Sequence, residues 1–255
     1  MNLPRRLAPQ ETVELVEHLG ELRTRLIVCL LAVGAAFTLT YVFHERLLAA
    51  LSAPLPAGHS RPITLSIAEP FMTSLKVSFY AAVLLSLPLL LWQLWSFIAP
   101  ALEEGTQRAI AGLVAFSGAL LAAGLAFGYF LALPASLNFL TTYDEHFYDI
   151  QVRASSYYSF ASAVLLATGL VFELPVFLLA LVRLGVTSAS KLRRNRRLGY
   201  VLVTALAVAL PGVDPFTTAL EIVPLAILFE GSIVLAAVME RRWFPGVPRP
   251  AGDSA

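Results

Sequence analysis

Long charge-free stretches separated by short polar clusters run through almost the whole chain. Their lengths are those of membrane-crossing helices, since about 20 apolar residues of helix span the hydrocarbon. The first stretch is Leu26–Phe43. The second, Val77–Leu102, holds Pro88, expected to kink it, and Pro100, expected to end it. The third, Ala109–Tyr143, is too long for one straight crossing, so Pro134 is expected to close the span and leave the remainder outside. The fourth, Ser155–Val182, is broken by a single acid, Glu173. The fifth, Leu198–Val213, and the sixth, Pro215–Met239, meet at the breakers Pro211, Gly212 and Pro215. The pattern predicts an all-α integral membrane protein with six transmembrane helices. Sixteen residues in the fifth span reach about 24 Å, short of a hydrocarbon core of about 30 Å. Either the bilayer thins there or the hairpin is sunk from one side.

Ahead of the first span, Leu15, Leu19, Leu22 and Leu26 recur at steps of four, three and four and draw one apolar stripe. Glu14, Glu17 and Glu21 mark another face, with His18 and Arg25 beside them. The segment Thr12–Arg25 therefore reads as an amphipathic helix on the membrane surface, running into the first span. Its acidic face is either a solvated surface or a receptor for a basic ligand.

Composition agrees. Of 255 residues, 58% are hydrophobic and 14% charged, and mean hydropathy is +0.75; a soluble domain carries about 25% charge. The single cysteine, Cys29, excludes an internal disulfide or a cysteine-based metal cluster. No cleaved signal peptide is expected, because the first apolar run is too long and follows an acidic segment. The net charge of +1 conceals an asymmetry. With both termini on one side, fourteen of the eighteen Lys and Arg residues share it, and only Arg46, Arg61, Lys76 and Arg153 lie opposite. The positive-inside rule makes that side cytoplasmic. The chain thus reads as one membrane domain: a cytoplasmic segment 1–25, spans within 26–239, and a flexible cytoplasmic tail 240–255.

Candidate chemistry is sparse. Glu173 is the one ionisable group far from both ends of a span, where an ionised side chain costs about 2.5–3.5 kcal/mol or more. Glu221 and Glu230 in the sixth span read as near-interface residues. In the second cytoplasmic loop, Glu103 and Glu104 follow Phe97-Ile98-Ala99-Pro100-Ala101-Leu102; they are either helix-capping acids or part of a ligand site. Two acidic patches facing one groove suit adjacent arginines, because a guanidinium binds carboxylate bidentately and stays charged. The basic run Lys191, Arg193, Arg194, Arg196 and Arg197 lies between two spans and reads as a topogenic anchor rather than a nucleic-acid site. His18, His44, His59 and His146 all lie outside the apolar runs. No protease, zincin or phosphate-loop motif is present. Neither catalytic residues, a metal nor a cofactor is expected.

These residues resemble a known family, the multispanning receptor subunit of the twin-arginine protein translocase, TatC. His18-Leu19-Gly20-Glu21-Leu22-Arg23-Thr24-Arg25-Leu26 is similar to its leading motif. Ser52-Ala53-Pro54-Leu55 and Pro70-Phe71 through Lys76 resemble its first external loop and second-span entry. Phe97–Leu102 matches its second-loop signature, Phe172-Glu173-Leu174-Pro175-Val176 its fourth span, and Pro224 with Phe229-Glu230 its last.

The resemblance implies a cup-shaped, non-enzymatic bundle of six helices in the cytoplasmic membrane. Such a protein binds twin-arginine signal peptides of folded cargo, assembles with the single-span subunits TatA and TatB in a homo-oligomeric complex, and serves export driven by the proton-motive force. It implies that Glu21, Arg23 and Phe97 contact the signal peptide. It assigns Pro54 to the shape of the external loop, Glu173 to partner helices and Asp214 to the last external turn. The second acidic contact of the family falls here on Thr106, so Glu103 or Glu104 is expected to replace it. A polar partner-contacting position near the outer end of the last span reads Thr218. Two rivals of other classes remain open at this point: a proton-coupled solute transporter using Glu173, and a structural scaffold without a ligand.

Overall fold

Among the described residues the apolar stretches form helix, with breaks at residues such as Glu173, ahead of Pro175, and Asn195. The computed structural model describes residues 9–56, 61–98, 106–148, 150–183, 185–211 and 214–243. Among these the only strand-like feature is an isolated bridge between Ile63 and Arg153. In order the elements are α1 (Pro9–Val42), α2 (His44–Ser52), α3 (Glu69–Ile98), α4 (Thr106–Phe127), a π-helical turn (Gly128–Ala132), α5 (Leu133–Thr142), α6 (Ala154–Phe172), α7 (Leu174–Arg183), α8 (Ala189–Arg194), α9 (Arg196–Ala209) and α10 (Pro215–Trp243).

Among the described residues five segments are long and apolar enough to cross a membrane: Gly20–Val42, Glu69–Leu94, Val114–Thr142, Ala154–Arg183 and Pro215–Glu240. The 14 residues of α9 reach only about 21 Å.

One boundary follows the sequence expectation and two differ from it. The surface helix and the first span are one unbroken helix, α1, because nothing between Thr12 and Leu26 interrupts its backbone hydrogen bonds. The second span starts at Glu69 rather than Val77; Glu69 is buried, so its charge does not mark an exposed end. Pro134 does not close the third span. It stands in the first turn of α5, directly after the π turn, whose changed hydrogen-bond spacing accommodates the missing N–H and carries the helix through to Thr142. The Leu133 N–H reaches back to the Gly128 carbonyl, the five-residue spacing of a π turn.

The described chain forms two compact units, Met1–Ala50 with Ser66–Gly118 and Leu51–Leu65 with Ala119–Ala255. In the first, α1 and α3 pack antiparallel, as the pairing of Thr40 with Ser78 and of Arg25 with Gln93 requires. Small buried residues at steps of four on α3, Ser78, Ala82 and Ser86, let the two backbones approach. The Thr40 hydroxyl donates across the seam to the Ser78 carbonyl at 2.8 Å. Within lipid such a bond is worth about 0.6–2 kcal/mol.

In the second unit α10 packs on α7 and α9, and a core of Val171, Val203, Ala207, Leu225, Phe229 and Ile233 fills the space between them. Gly124 and Gly128 let α4 and the π turn close on α6. A Cβ at Gly124 would lie 2.8 Å from Phe172 Cβ and from the Thr168 carbonyl, and one at Gly128 would strike the Thr168 hydroxyl. Residues 51–65 are stitched to the start of α6. Tyr157 donates to the Leu51 carbonyl, the Ser52 and Tyr158 hydroxyls share a 2.7 Å bond, and the Ile63 and Ala154 N–H groups donate to Val152 and Ile63 at 2.8 Å.

Candidate functional site

Glu21 lies in α1 beside the start of the first span, one turn before Arg25. That spacing puts both on one face, and Arg25 Nε and Nη2 donate to Glu21 Oε1 at 3.0 and 2.5 Å. Arg25 Nη1 also reaches Gln93 of α3, at 3.2 Å to Oε1 and 3.5 Å to the carbonyl. The pair is part-exposed, the Glu21 side chain 36% and Arg25 22%. A carboxylate, a guanidinium and an amide thus form one polar head on the α1–α3 pair. Arg23 is exposed nearby. Phe97 falls in the last turn of α3, one turn beyond Gln93; its side chain, like those of residues 9–19 and 106–111, lies outside the described residues. Glu103 and Glu104 also lie outside them, so the expected pairing of Glu21 with a second acid is not visible.

Pro54 sits in the turn that follows α2, half-buried, where the Leu55 N–H bonds to the Ser52 carbonyl. The tyrosine ties from α6 hold that turn in place.

Glu173 separates α6 from α7 and is 7% exposed. The break has a local cause. Pro175 has no N–H to offer the Val171 carbonyl and would crowd it, so the chain bends at Glu173 and restarts at Leu174. The Glu173 N–H caps Leu170, and its carbonyl accepts from Phe177.

Asp214 is the N-cap of α10 and is 1% exposed. Its Oδ1 accepts from the Thr217 N–H at 2.7 Å and its Oδ2 from the Ser136 hydroxyl at 2.7 Å, while the Thr217 hydroxyl donates to Ser136 Oγ at 3.0 Å. Ser136 and Thr217 are buried too, so α5 and α10 are locked by a sealed polar cluster. Burial raises the Asp214 pKa, but the donors outweigh burial and hold the carboxyl below the usual aspartate range. Thr218 bonds back to the Asp214 carbonyl through both its N–H and its hydroxyl, so it belongs to the same cap.

Sequence reasoning did not single out Ser136, Thr217 or Gln93. The order Asp-Pro-x-Thr at the head of an apolar run is an N-cap signal that points to Thr217, whereas Ser136 meets Asp214 across 78 positions, beyond any local pattern. Nothing local points to Gln93. The last span holds two further acids. Glu230 accepts from Tyr200 at 2.6 Å and pairs with Arg196 at 3.1 Å. Glu221 is 2% exposed, its side chain turned into the protein. At the other end of α10, Glu240 accepts from the Ala189 N–H at 2.9 Å and ties the basic α8 to the helix.

Comparison with known proteins extends this geometry. The family model described as Sec-independent protein translocase protein (TatC) matches residues 17–224. The Sec-independent protein translocase protein TatC of Escherichia coli (strain K12) is 36% identical over 230 residues, 88% of each chain. That of Desulforapulum autotrophicum is 35% identical over 236 residues, 91% of this chain and 87% of the other. A crystal structure of the twin arginine translocase receptor TatC in DDM aligns with a TM-score of 0.75 at 30% identity, covering 86% of this chain and 99% of that one.

Proposed function

Because this chain belongs to the TatC family of Sec-independent protein translocase proteins, we propose that the polar head of its α1–α3 pair receives the arginine pair of a signal peptide. The chain is a core subunit of the twin-arginine translocase, a non-enzymatic, multi-pass protein of the inner membrane. One observation carries the finer reading: Glu21 already holds a guanidinium, that of Arg25, in charge-assisted hydrogen bonds. A carboxylate that accepts the resident arginine accepts an incoming one by the same chemistry.

Magnitudes set the rest of the requirement. An exposed ion pair contributes about 0–1 kcal/mol, whereas a charged hydrogen bond in a shielded cleft contributes about 1.5–3 kcal/mol. A second acid, Glu103 or Glu104, joins Glu21 in this reading, with Arg23 and Phe97 as further contacts to the peptide. The apolar part of the peptide then supplies buried area along the spans. Both termini and this head lie on the cytoplasmic side, as the distribution of arginines requires.

Partner helices, those of TatA and TatB in a multi-copy complex, dock along the second unit. Support comes from the wide apolar faces of α9 and α10, where Leu198, Val201, Leu202 and Val208, then Val223 and Ile227, are largely exposed. Glu173 is the acid facing that docking, while Pro54, Asp214 and Thr218 act by fixing the shape of the outer turns. Export draws on the proton-motive force. Family membership sets aside the solute-transporter reading.

The test uses the full chain in membranes with a photo-crosslinker near residues 21 and 103. A twin-arginine precursor is expected to label both positions, and a precursor with two lysines to label them far less. Equal labelling by the two precursors overturns the proposal.

A further inference from the structure

Glu221 lies on the face of α10 that carries Asp214 two turns earlier, about 10 Å along the helix from the cap. It is 2% exposed, and its Oε1 has no hydrogen-bond partner among the described residues. Glu221 lines a small cavity whose other walls are Phe127, Thr168, Val171, Phe172, Leu210 and Leu225. None of those side chains carries a charge. The one hydroxyl among them, on Thr168, is spent on the Val164 carbonyl at 2.8 Å.

Among the described residues no salt bridge joins a cation to Glu221. On α9, Arg196 is paired with Glu230, more than two turns further along α10. On α6 and α7, the ionisable group next to the cavity wall is Glu173, which follows Phe172 and is itself an acid. Asp214, on the same helix, is a like charge that bears on Glu221. An ionised carboxylate here would face apolar walls and the like charge of Asp214, with no donor among the described residues to offset its desolvation. A carboxyl that carries a proton escapes that cost and gains an O–H donor.

We infer that Glu221 is an intramembrane proton-binding site, its buried and unpartnered carboxyl holding a proton beside an apolar cavity. In the step itself a hydronium gives its proton to the Glu221 carboxylate and leaves as water; release is the reverse. The site is independent of the Glu21 reading, because it rests on different residues in the other unit. It gives the membrane domain a place to take up and return a proton.

Infrared spectroscopy on the full chain reconstituted in vesicles tests the inference. At neutral pH the wild-type protein is expected to show a carboxylic-acid carbonyl band that shifts down in D2O. Glu221→Gln should lose the share of that band belonging to one carboxyl, and Glu221→Asp should keep it at a shifted frequency. Raising the pH should convert the same share to carboxylate absorption. If Glu221→Gln does not fold, the Glu221→Asp shift decides alone. An acid band identical in wild type and variants, with only carboxylate absorption changed by the substitutions, would overturn the inference.

Discussion

The two units treat their acids in opposite ways. On the α1–α3 pair, Glu21 is part-exposed and held by a single guanidinium one turn away. At the head of α10, Asp214 is sealed, with the Ser136 hydroxyl and the Thr217 N–H donating to it and the Thr217 hydroxyl backing Ser136. The first arrangement is weak and exchangeable, because exposed i,i+4 pairs contribute only about 0.3–0.5 kcal/mol. The second is structural, since removing its acceptor strands buried donors, each at about 1–3 kcal/mol. Acids in one family signature therefore do two jobs, and exposure together with partner count tells them apart.

That contrast is open to direct challenge. The largest effect is expected for Asp214→Ala, which removes an N-cap and leaves Ser136 and Thr217 without an acceptor. A loss of about 2–4 kcal/mol should follow, read as a drop in thermal midpoint in detergent. Its pH dependence sharpens the point. The folded-state pKa of Asp214 lies below the unfolded value, so its stabilisation is present above the ordinary aspartate range near about 3.9. It is lost as pH falls through the depressed value. The wild type should lose stability on acidification in that window and Asp214→Ala should lose less; parallel curves would deny Asp214 its structural role.

A middle effect belongs to Glu21→Gln. The fold should be untouched within about 0.5 kcal/mol, while affinity for a twin-arginine peptide falls about tenfold, the equivalent of one charged hydrogen bond. Unchanged peptide affinity by titration calorimetry would place the arginine contact elsewhere. The smallest effect is expected for Arg25→Gln. Releasing Glu21 from its resident guanidinium should raise peptide affinity about twofold. A clear loss instead would mean that Arg25 orients Glu21 rather than competing for it.

Much of this molecule is legible from its sequence, for a physical reason. Lipid forces every backbone group to be satisfied within a helix, so runs such as Leu26–Phe43 and Pro215–Met239 announce themselves. Charge counting was less reliable at the ends. Glu69 and Lys76 hid the first turns of α3 because a buried or snorkelling charge continues a helix as well as it ends one. Pro134 was ambiguous: a proline closes a helix in its middle and opens one in its first turn, and only the preceding π turn decides between them. Among the site residues, Glu21 could be found from its spacing. The contact to Gln93 joins residues 68 positions apart, which no local pattern encodes. Asp214 carried a capping signature that its place in a partner-contacting motif obscured. Glu221 looked superficial because it is near the end of its run, yet depth along a helix says nothing about which way the side chain turns.

The π turn at Gly128–Ala132 has one more consequence. It inserts a residue into the helical count, so everything after it is rotated by about 100° relative to an uninterrupted α-helix. Leu133, Ser136 and Leu137 face inward only in that shifted phase. With one residue fewer, the helix would keep its length and hydropathy but aim Ser136 away from Asp214. The extra residue works as a gear tooth, meshing the start of the last helix with one more than seventy positions away in the chain.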